Sequence, residues 1–361
     1  MNKKHDKIAV GMSGGVDSSL AAAILKMDGY DVVGITMKIF GGEDIGADCK
    51  GHACYGPGES DDILRAGEVA DFLGIPHHVI DLKAEYGEHV LSYFTSEYLA
   101  GKTPNPCTRC NPKMKFGFLL DRARSAGICF DLFATGHYVR QCWMDIYGKH
   151  VLKKAVDVEK DQSYFLYGLP KEIIPTLLFP LGALTKQAVR ARAAELRLPV
   201  ADRPESQDFI EGGDYGGLFN NKDVRPGDII DVNGNKMGTH TGIINYTVGQ
   251  RKGLGIPHSV PLYVLRIDAA ENTIVVAPKS YLYAGSLIVG HINLIALDRI
   301  DSPMPITAKI RQKHQGAPAL FEPLGNDRAK VIFDSPQLAV TPGQSVVFYD
   351  NDVVLGGGII E

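Results

Sequence analysis

Apolar and polar positions follow two rhythms along this chain. In the first half, short solid apolar runs alternate with longer stretches of helical spacing. Lys7–Met12 (KIAVGM) is an apolar run closing on glycines, as a buried strand does. Ser18–Met27 places Leu20, Ile24 and Met27 on one helical face. Asp31–Met37 is a second β-rich run. Asp61–Leu73 reads as a helix, His77–Leu82 as a strand, Tyr86–Leu99 and Lys115–Ala126 as helices, and Leu132–Thr135 as another short strand. Such alternation predicts a parallel sheet covered on both faces, with ligands at the carboxyl ends of its strands. From about Gln162 to Leu198 the pattern turns helical. After about Ser206 it shortens into β-like runs between Gly, Asn and Asp turns: Asp228–Val232, Pro261–Ile267, Thr273–Ala277, Ser286–Ile295, Ile306–Arg311, Lys330–Phe333 and Ser345–Tyr349. The string YDNDVV (349–354) has the form of a tight hairpin. The expected class is α/β: a parallel-sheet nucleotide-binding domain with a helical extension at 1–205, a small β-rich domain at 206–277 and a β-barrel at 278–361.

Composition changes this picture little. A chain of 361 residues exceeds one ordinary core, which agrees with several domains. The apolar fraction of 45% and charged fraction of 22% are those of a globular protein, and the net charge of −4 gives no overall pull toward nucleic acid. No run of about 18 apolar residues is present, and the basic start MNKKHDKIAV lacks a leader's apolar core. The expectation is a cytoplasmic protein that meets neither membrane nor DNA. The six cysteines (Cys49, Cys54, Cys107, Cys110, Cys129 and Cys142) are too sparse for a disulfide scaffold. In reduced surroundings a CxxC such as Cys107–Cys110 points to metal binding or thiol chemistry. Cys129 and Cys142, in or near β-like runs, are expected to be buried and inert.

The first candidate chemistry is GMSGGVDSS (11–19), between a strand and a helix. Gly11, Met12, Ser13, Gly14, Gly15, Val16, Asp17 and Ser18 would form an anion site. The N–H groups of Gly14, Gly15 and Val16 and the helix dipole would face a phosphate, Ser13 and Ser18 would offer hydroxyls, and Asp17 would hold a bridging Mg2+. The string is neither a Walker A motif nor GxGxxG, and the plain alternative is a glycine-rich turn without ligand. Three basic groups follow. They are Arg109, Lys113, Lys115, Arg122 and Arg124; then Lys149, Lys153, Lys154 and Lys160; then Lys186, Arg190, Arg192, Arg197 and Arg203. Each is either a solvated face or part of a path for a polyanion. His137 and His240 are candidate acid–base groups whose plain reading is structural.

In full, SGGVDS resembles the PP-loop of ATP pyrophosphatases, enzymes that cleave ATP between the α and β phosphates. That resemblance puts Met37 and Gly136 at the adenosine; taken alone, Met37 is core. The strings TPNPCTRCNPKMKFG (103–117), ATGHY (134–138), KDQSYFLYGL (160–169), PESQD (204–208) and YTVGQRKGLGI (246–256) together look like the tRNA-specific 2-thiouridylases. The resemblance implies ATP and Mg2+ as cofactors, and as partners the anticodon stem-loop of tRNA and a sulfur donor, either a cysteine desulfurase relay or sulfide. ATP would adenylate the 2-oxygen of a wobble uridine, and sulfur carried on low-pKa thiols would then displace AMP. Cys110 holds the nucleophile's place. Asn105, Pro106 and Cys107 would face the target base, while Lys160, Asp161, Gln162, Arg311 and Gln312 would contact tRNA.

Two departures from the family pattern stand out. Cys107 replaces the usual aspartate, and PESQDFIEGG lacks the mid-chain cysteine that carries a persulfide in relatives. Three readings of the thiols follow: a [4Fe–4S] cluster on Cys54, Cys107 and Cys110; a persulfide on Cys110 resolved by Cys107; or a zinc site that adds Cys49. The competing functions are another ATP pyrophosphatase, such as an amidating synthetase, and an RNA-binding protein that has lost its activity.

Overall fold

The computed structural model describes residues 6–42, 53–204, 209–210, 215–219 and 223–361, so Cys49 and most of PESQD lie outside it. The chain divides into two units. One comprises Met1–Val90, Cys107–Gly217 and Asp352–Val354; the other comprises Leu91–Pro106, Leu218–Asn351 and Leu355–Glu361.

The first unit is built on a parallel sheet of β1 (Lys7–Gly11), β2 (Asp31–Lys38), β3 (His77–Asp81), β4 (Leu132–Thr135) and β7 (Leu177–Leu178), in the order β3-β2-β1-β4-β7. The chain leaves β1 toward β2 and returns to its other side as β4, so strand order reverses between β1 and β4. At such a switch point the loops part and leave a crevice. Helix α1 (Val16–Met27) is buried along most of its surface by Leu20, Leu25 and the run Ala21–Ala23. One side packs with Ile8, Val10 and Val32 of the sheet and Val69 of α2 (Glu59–Leu73). Its other side packs with Val189 and Ala193 of α7 (Lys186–Glu195). The expected Leu20–Ile24–Met27 stripe is not the buried face, since Met27 is exposed. Three consecutive alanines allow close approach from both sides, which a single-stripe reading misses.

The helix expected to begin at Lys115 begins at Pro106. It runs as α5 (Pro106–Cys110), a wide π-type stretch Asn111–Phe118 and α6 (Leu119–Ser125). Proline suits a first helical position, where its missing N–H costs nothing. A similar wide turn, Gly87–Leu91, joins α3 (Lys83–Tyr86) to α4 (Ser92–Leu99). The region expected to be helical from Gln162 to Leu198 holds mostly turns, with one helix of ten residues, α7. The hairpin β5 (Val139–Met144) and β6 (Lys149–Lys154) was not anticipated; β6 is mostly polar and neither strand alternates cleanly.

The second unit holds α4 and two β assemblies. β8 (Gly227–Ile230), β9 (Lys236–His240), β10 (Leu262–Asp268) and β11 (Thr273–Pro278) form a four-stranded sheet. The strands β12 (Tyr283–Leu294), β13 (Met304–Lys309), β14 (Ala317–Gly325), β15 (Arg328–Leu338), β16 (Ser345–Asp350) and β17 (Val353–Ile360) follow in the order β12-β15-β14-β13-β16-β17. β12 also pairs with β17, as in Gly290↔Ile359, which closes the six strands into a barrel and removes its free edges. Asn351, at φ 53°, makes the tight turn expected in YDNDVV.

Candidate functional site

The crevice at the β1/β4 switch point is a cavity of about 190 Å3 within the first unit. Gly11, Met12, Ser13, Asp17, Ser18, Ile35, Met37, Lys115, Leu119, Phe133, Thr135, Gly136, His137 and Gln162 line it. Its walls are the ends of three neighbouring strands and the loop that enters α1. Gly14 adopts φ +68°, and a Cβ there would drive into the backbone carbonyl of Asp62, so only glycine makes this turn. Gly15 is the N-cap of α1 and no side chain caps it. Ser13 and Ser18 hold each other, hydroxyl to hydroxyl at 3.2 Å, and the Ser13 N–H donates to the Ser18 hydroxyl. At Gly136 a Cβ would stand 2.7 Å from the Ser18 nitrogen, so the loop after β4 presses directly on the start of α1.

Charged groups fix this loop. Arg203, nearly buried, donates through Nη1 to the Gly14 carbonyl at 2.7 Å and pairs through Nη2 with Asp62. Lys186, 8% exposed, places its ammonium 2.7 and 2.8 Å from the two carboxylate oxygens of Asp17. The Tyr138 hydroxyl donates to the same Asp17 Oδ1 at 2.8 Å. The sequence reading set Lys186 and Arg203 among cations facing a polyanion; in the structure they are internal counterions of the loop. Their signal was positional. Lys186 directly follows the N-cap Thr185, at the end of a helix that disfavours a cation, and such a lysine needs a carboxylate partner. Among the described residues Asp17 therefore does not stand ready for a metal ion. A divalent cation at its carboxylate would sit against the Lys186 ammonium.

Across the cavity, Thr135 Oγ1 lies 2.8 Å from His137 Nδ1, and burial holds the His137 pKa well below the usual histidine range, with the Lys115 charge pushing the same way. His137 is therefore a neutral imidazole. His77 Nε2 bonds Thr36, whose hydroxyl donates to the Met12 carbonyl at 2.8 Å and so braces the loop from behind.

Lys115 also connects the cavity to the thiols. Burial pushes the Cys107 thiol up to about 12 and the Cys110 thiol up to about 11, while the Lys115 ammonium pulls both down. Both keep some exposed surface, but the protein packed around the sulfurs strips most of their solvation. The expectation of low-pKa thiols is corrected: these two are neutral at physiological pH. Cys54 is exposed, yet its charge raises both of the others, so the three belong to one neighbourhood. Tyr86 is its buried floor, stacked on Tyr55 at 5.3 Å. Tyr55 in turn stacks on Phe209 at 6.0 Å, and its N–H donates to the Phe209 carbonyl. Phe209, at the point where the family pattern is cut short, thus packs on Tyr55, the residue that follows Cys54.

The expected ligand set is not assembled. Among the described residues no three His, Cys, Asp or Glu side chains form a group that could hold a metal ion. The zinc reading also needs Cys49, outside the described residues. Next to Cys110, the buried Asn111 donates to the Cys107 carbonyl at 3.0 Å, and its amide oxygen has no partner.

The residues expected at tRNA are dispersed. Gln162 lines the nucleotide cavity and accepts from the Tyr138 N–H. Asp161 is buried and accepts from Ala155, Ser163 N–H and the Ser163 hydroxyl, which makes it a loop brace with no surface for RNA. Lys160, Asn105 and Pro106 are half-buried. In the second unit Arg311 donates to the Leu338 carbonyl and lines a separate cavity of about 310 Å3, with the half-buried Gln312 beside it in sequence. His240 is buried, bonded to the Asn272 carbonyl, and structural. Cys129, expected to be buried, is exposed in the turn before β4, and Cys142 is half-buried on β5.

Comparison with known proteins decides the family. The model described as the tRNA methyl transferase HUP domain matches residues 6–211, the tRNA methyl transferase PRC-barrel domain matches 218–278, and the aminomethyltransferase beta-barrel domain matches 284–360. The tRNA-specific 2-thiouridylase MnmA of Acetivibrio thermocellus is 46% identical over 366 residues, covering 100% of both chains. That of Geotalea uraniireducens is 46% identical and covers 100% of this chain and 96% of its own. The chain belongs to the tRNA-specific 2-thiouridylase family. A further member, from Thermoanaerobacter sp., is 44% identical over 99% of this chain. No helix among the described residues is long and apolar enough to cross a membrane.

Proposed function

We propose that this chain is a tRNA-uridine 2-sulfurtransferase. It binds MgATP at the β1/β4 cavity, adenylates the 2-oxygen of a uridine in the anticodon stem-loop of tRNA, and replaces that oxygen with sulfur. The uridine oxygen attacks the α-phosphorus and pyrophosphate leaves. The adenylated carbon then carries a good leaving group, AMP. Sulfur arrives as a persulfide within the Cys54, Cys107 and Cys110 neighbourhood. Its terminal sulfur forms the new bond to carbon as the C–O bond to AMP breaks. A neighbouring thiol then attacks the inner sulfur, which releases 2-thiouridine and leaves a protein disulfide for an external thiol to reduce. Cys110 is the favoured nucleophile, and the Lys115 ammonium stabilises its thiolate, whose proton goes to solvent. A persulfide is preferred to a cluster because it needs no three-ligand set.

The observation that carries this reading is Lys115. It walls the nucleotide cavity and its charge acts on the Cys110 thiol, so activation and sulfur delivery share one neighbourhood. The unpartnered Asn111 oxygen beside Cys110 suits an acceptor for the N–H of an extruded base. Mass analysis of tRNA nucleosides from a strain lacking the gene tests the reading. Loss of 2-thiouridine, restored by the wild-type gene and not by Cys110→Ser, is expected. Unchanged tRNA would assign the loop to another ATP pyrophosphatase, and restoration by Cys110→Ser would leave only RNA binding.

A further inference from the structure

We infer that Asp17 is the counterion of Lys186 rather than a metal ligand, and that Lys186 is a positioning residue which cancels a negative charge in the path of the triphosphate. Asp17 lines the cavity at the first turn of α1, where a nucleotide's phosphates meet the helix N-terminus. An uncompensated carboxylate there would repel a polyanion. Three donor contacts from two side chains quench it: Lys186 Nζ at 2.7 and 2.8 Å, and the Tyr138 hydroxyl at 2.8 Å. Lys186 is itself held, since its backbone N–H donates to Asp157 Oδ2 at 2.8 Å and its ammonium lies 5.8 Å from the Tyr138 ring centre. A buried ammonium at the start of α7 is costly unless its carboxylate stays in place. The pair is therefore a fixed neutral unit. The loop then binds phosphate through backbone N–H groups and hydroxyls, and Mg2+ enters as part of MgATP with its protein contacts elsewhere.

The inference rests on ATP being the ligand of this cavity, and it has a charge signature. Binding of α,β-methylene-ATP, with and without saturating Mg2+, is measured by calorimetry on the full chain. Lys186→Met leaves Asp17 uncompensated and is expected to weaken binding roughly 10- to 100-fold. Asp17→Asn is expected to bind as tightly as wild type or more tightly, with an unchanged gain on adding Mg2+. The double variant Asp17→Asn/Lys186→Met, which removes both charges, is expected to return to within about fivefold of wild type, and this non-additivity marks a direct pair. Should either single variant unfold, the double variant and Lys186→Arg, which keeps the charge, decide the question, and both are expected to bind. If Asp17→Asn loses the Mg2+-dependent gain, or the double variant binds no better than Lys186→Met, the carboxylate is a metal ligand and the inference falls. Wild-type protein that binds no nucleotide would overturn the ATP reading as well.

Discussion

The nucleotide loop and the thiol neighbourhood lie in the same unit, but they are organised in opposite ways. At the loop every charge is answered: Asp17 by Lys186 and Tyr138, Arg203 by Asp62 and the Gly14 carbonyl. Geometry is enforced sterically, because neither Gly14 nor Gly136 has room for a Cβ. The thiols are organised by desolvation: two cysteines are held neutral, and among the described residues the Asn111 oxygen has no partner. One region is set by paired charges, the other by burial. A preorganised electrostatic site suits the activation step. A poised but unreactive thiol suits a step that must not run before the base is activated.

The contrast can be broken from either side. The largest effect is expected for Cys110→Ser, which should lower tRNA thiolation at least a thousandfold while tRNA-dependent release of pyrophosphate from ATP stays within about fivefold. Loss of both together would show that the regions are not separable. Next comes Gly14→Val. A left-handed position with no space for a side chain should cost pyrophosphate release at least a hundredfold and leave thiol alkylation unchanged.

Smaller effects sharpen the electrostatics of the thiol side. With Cys110 titrating near 11, its thiolate is about a thousandth of the total at pH 8. Its alkylation rate should therefore climb about tenfold per pH unit well past pH 9, where an ordinary thiol levels off. Lys115→Gln removes a charge that lowers this pKa, so it should slow alkylation at fixed pH by about threefold to tenfold. A plateau near pH 8.5 would contradict the desolvated thiol. The smallest effect belongs to Cys129→Ser, which should change thiolation less than twofold while removing one exposed, readily alkylated thiol.

How much was readable in advance differs between the regions for the same physical reason. GMSGGVDSS announces itself because backbone geometry dictates its residues: a left-handed glycine, a strand before it and a helix after it. The strand–helix alternation around it was also legible, since fully buried parallel strands are solid apolar runs. The pairing of Lys186, Tyr138 and Arg203 with the loop was not read, because each partner lies more than a hundred residues away in sequence. Asp161 and Cys129 were misjudged in opposite directions. A carboxylate in KDQS looks like a surface charge until three donors are found around it, and a cysteine in an apolar run looks buried until the turn before β4 is seen. The hairpin β5–β6 defeats periodicity, because its buried residues Val139, Val151 and Leu152 are too few to mark an alternation among Arg140, Gln141 and the lysines of β6.

The central claim is that one chain couples adenylation to sulfur transfer through adjacent sites. The most direct test is a single-turnover reaction of the purified protein, charged with a persulfide donor, with MgATP and unmodified tRNA. AMP and 2-thiouridine are counted in the same quench. The account predicts equal amounts of the two, both dependent on tRNA, and neither for Cys110→Ser, which should stall as adenylated tRNA after releasing pyrophosphate. AMP formed by the wild-type protein without 2-thiouridine, or 2-thiouridine formed without AMP, would contradict it.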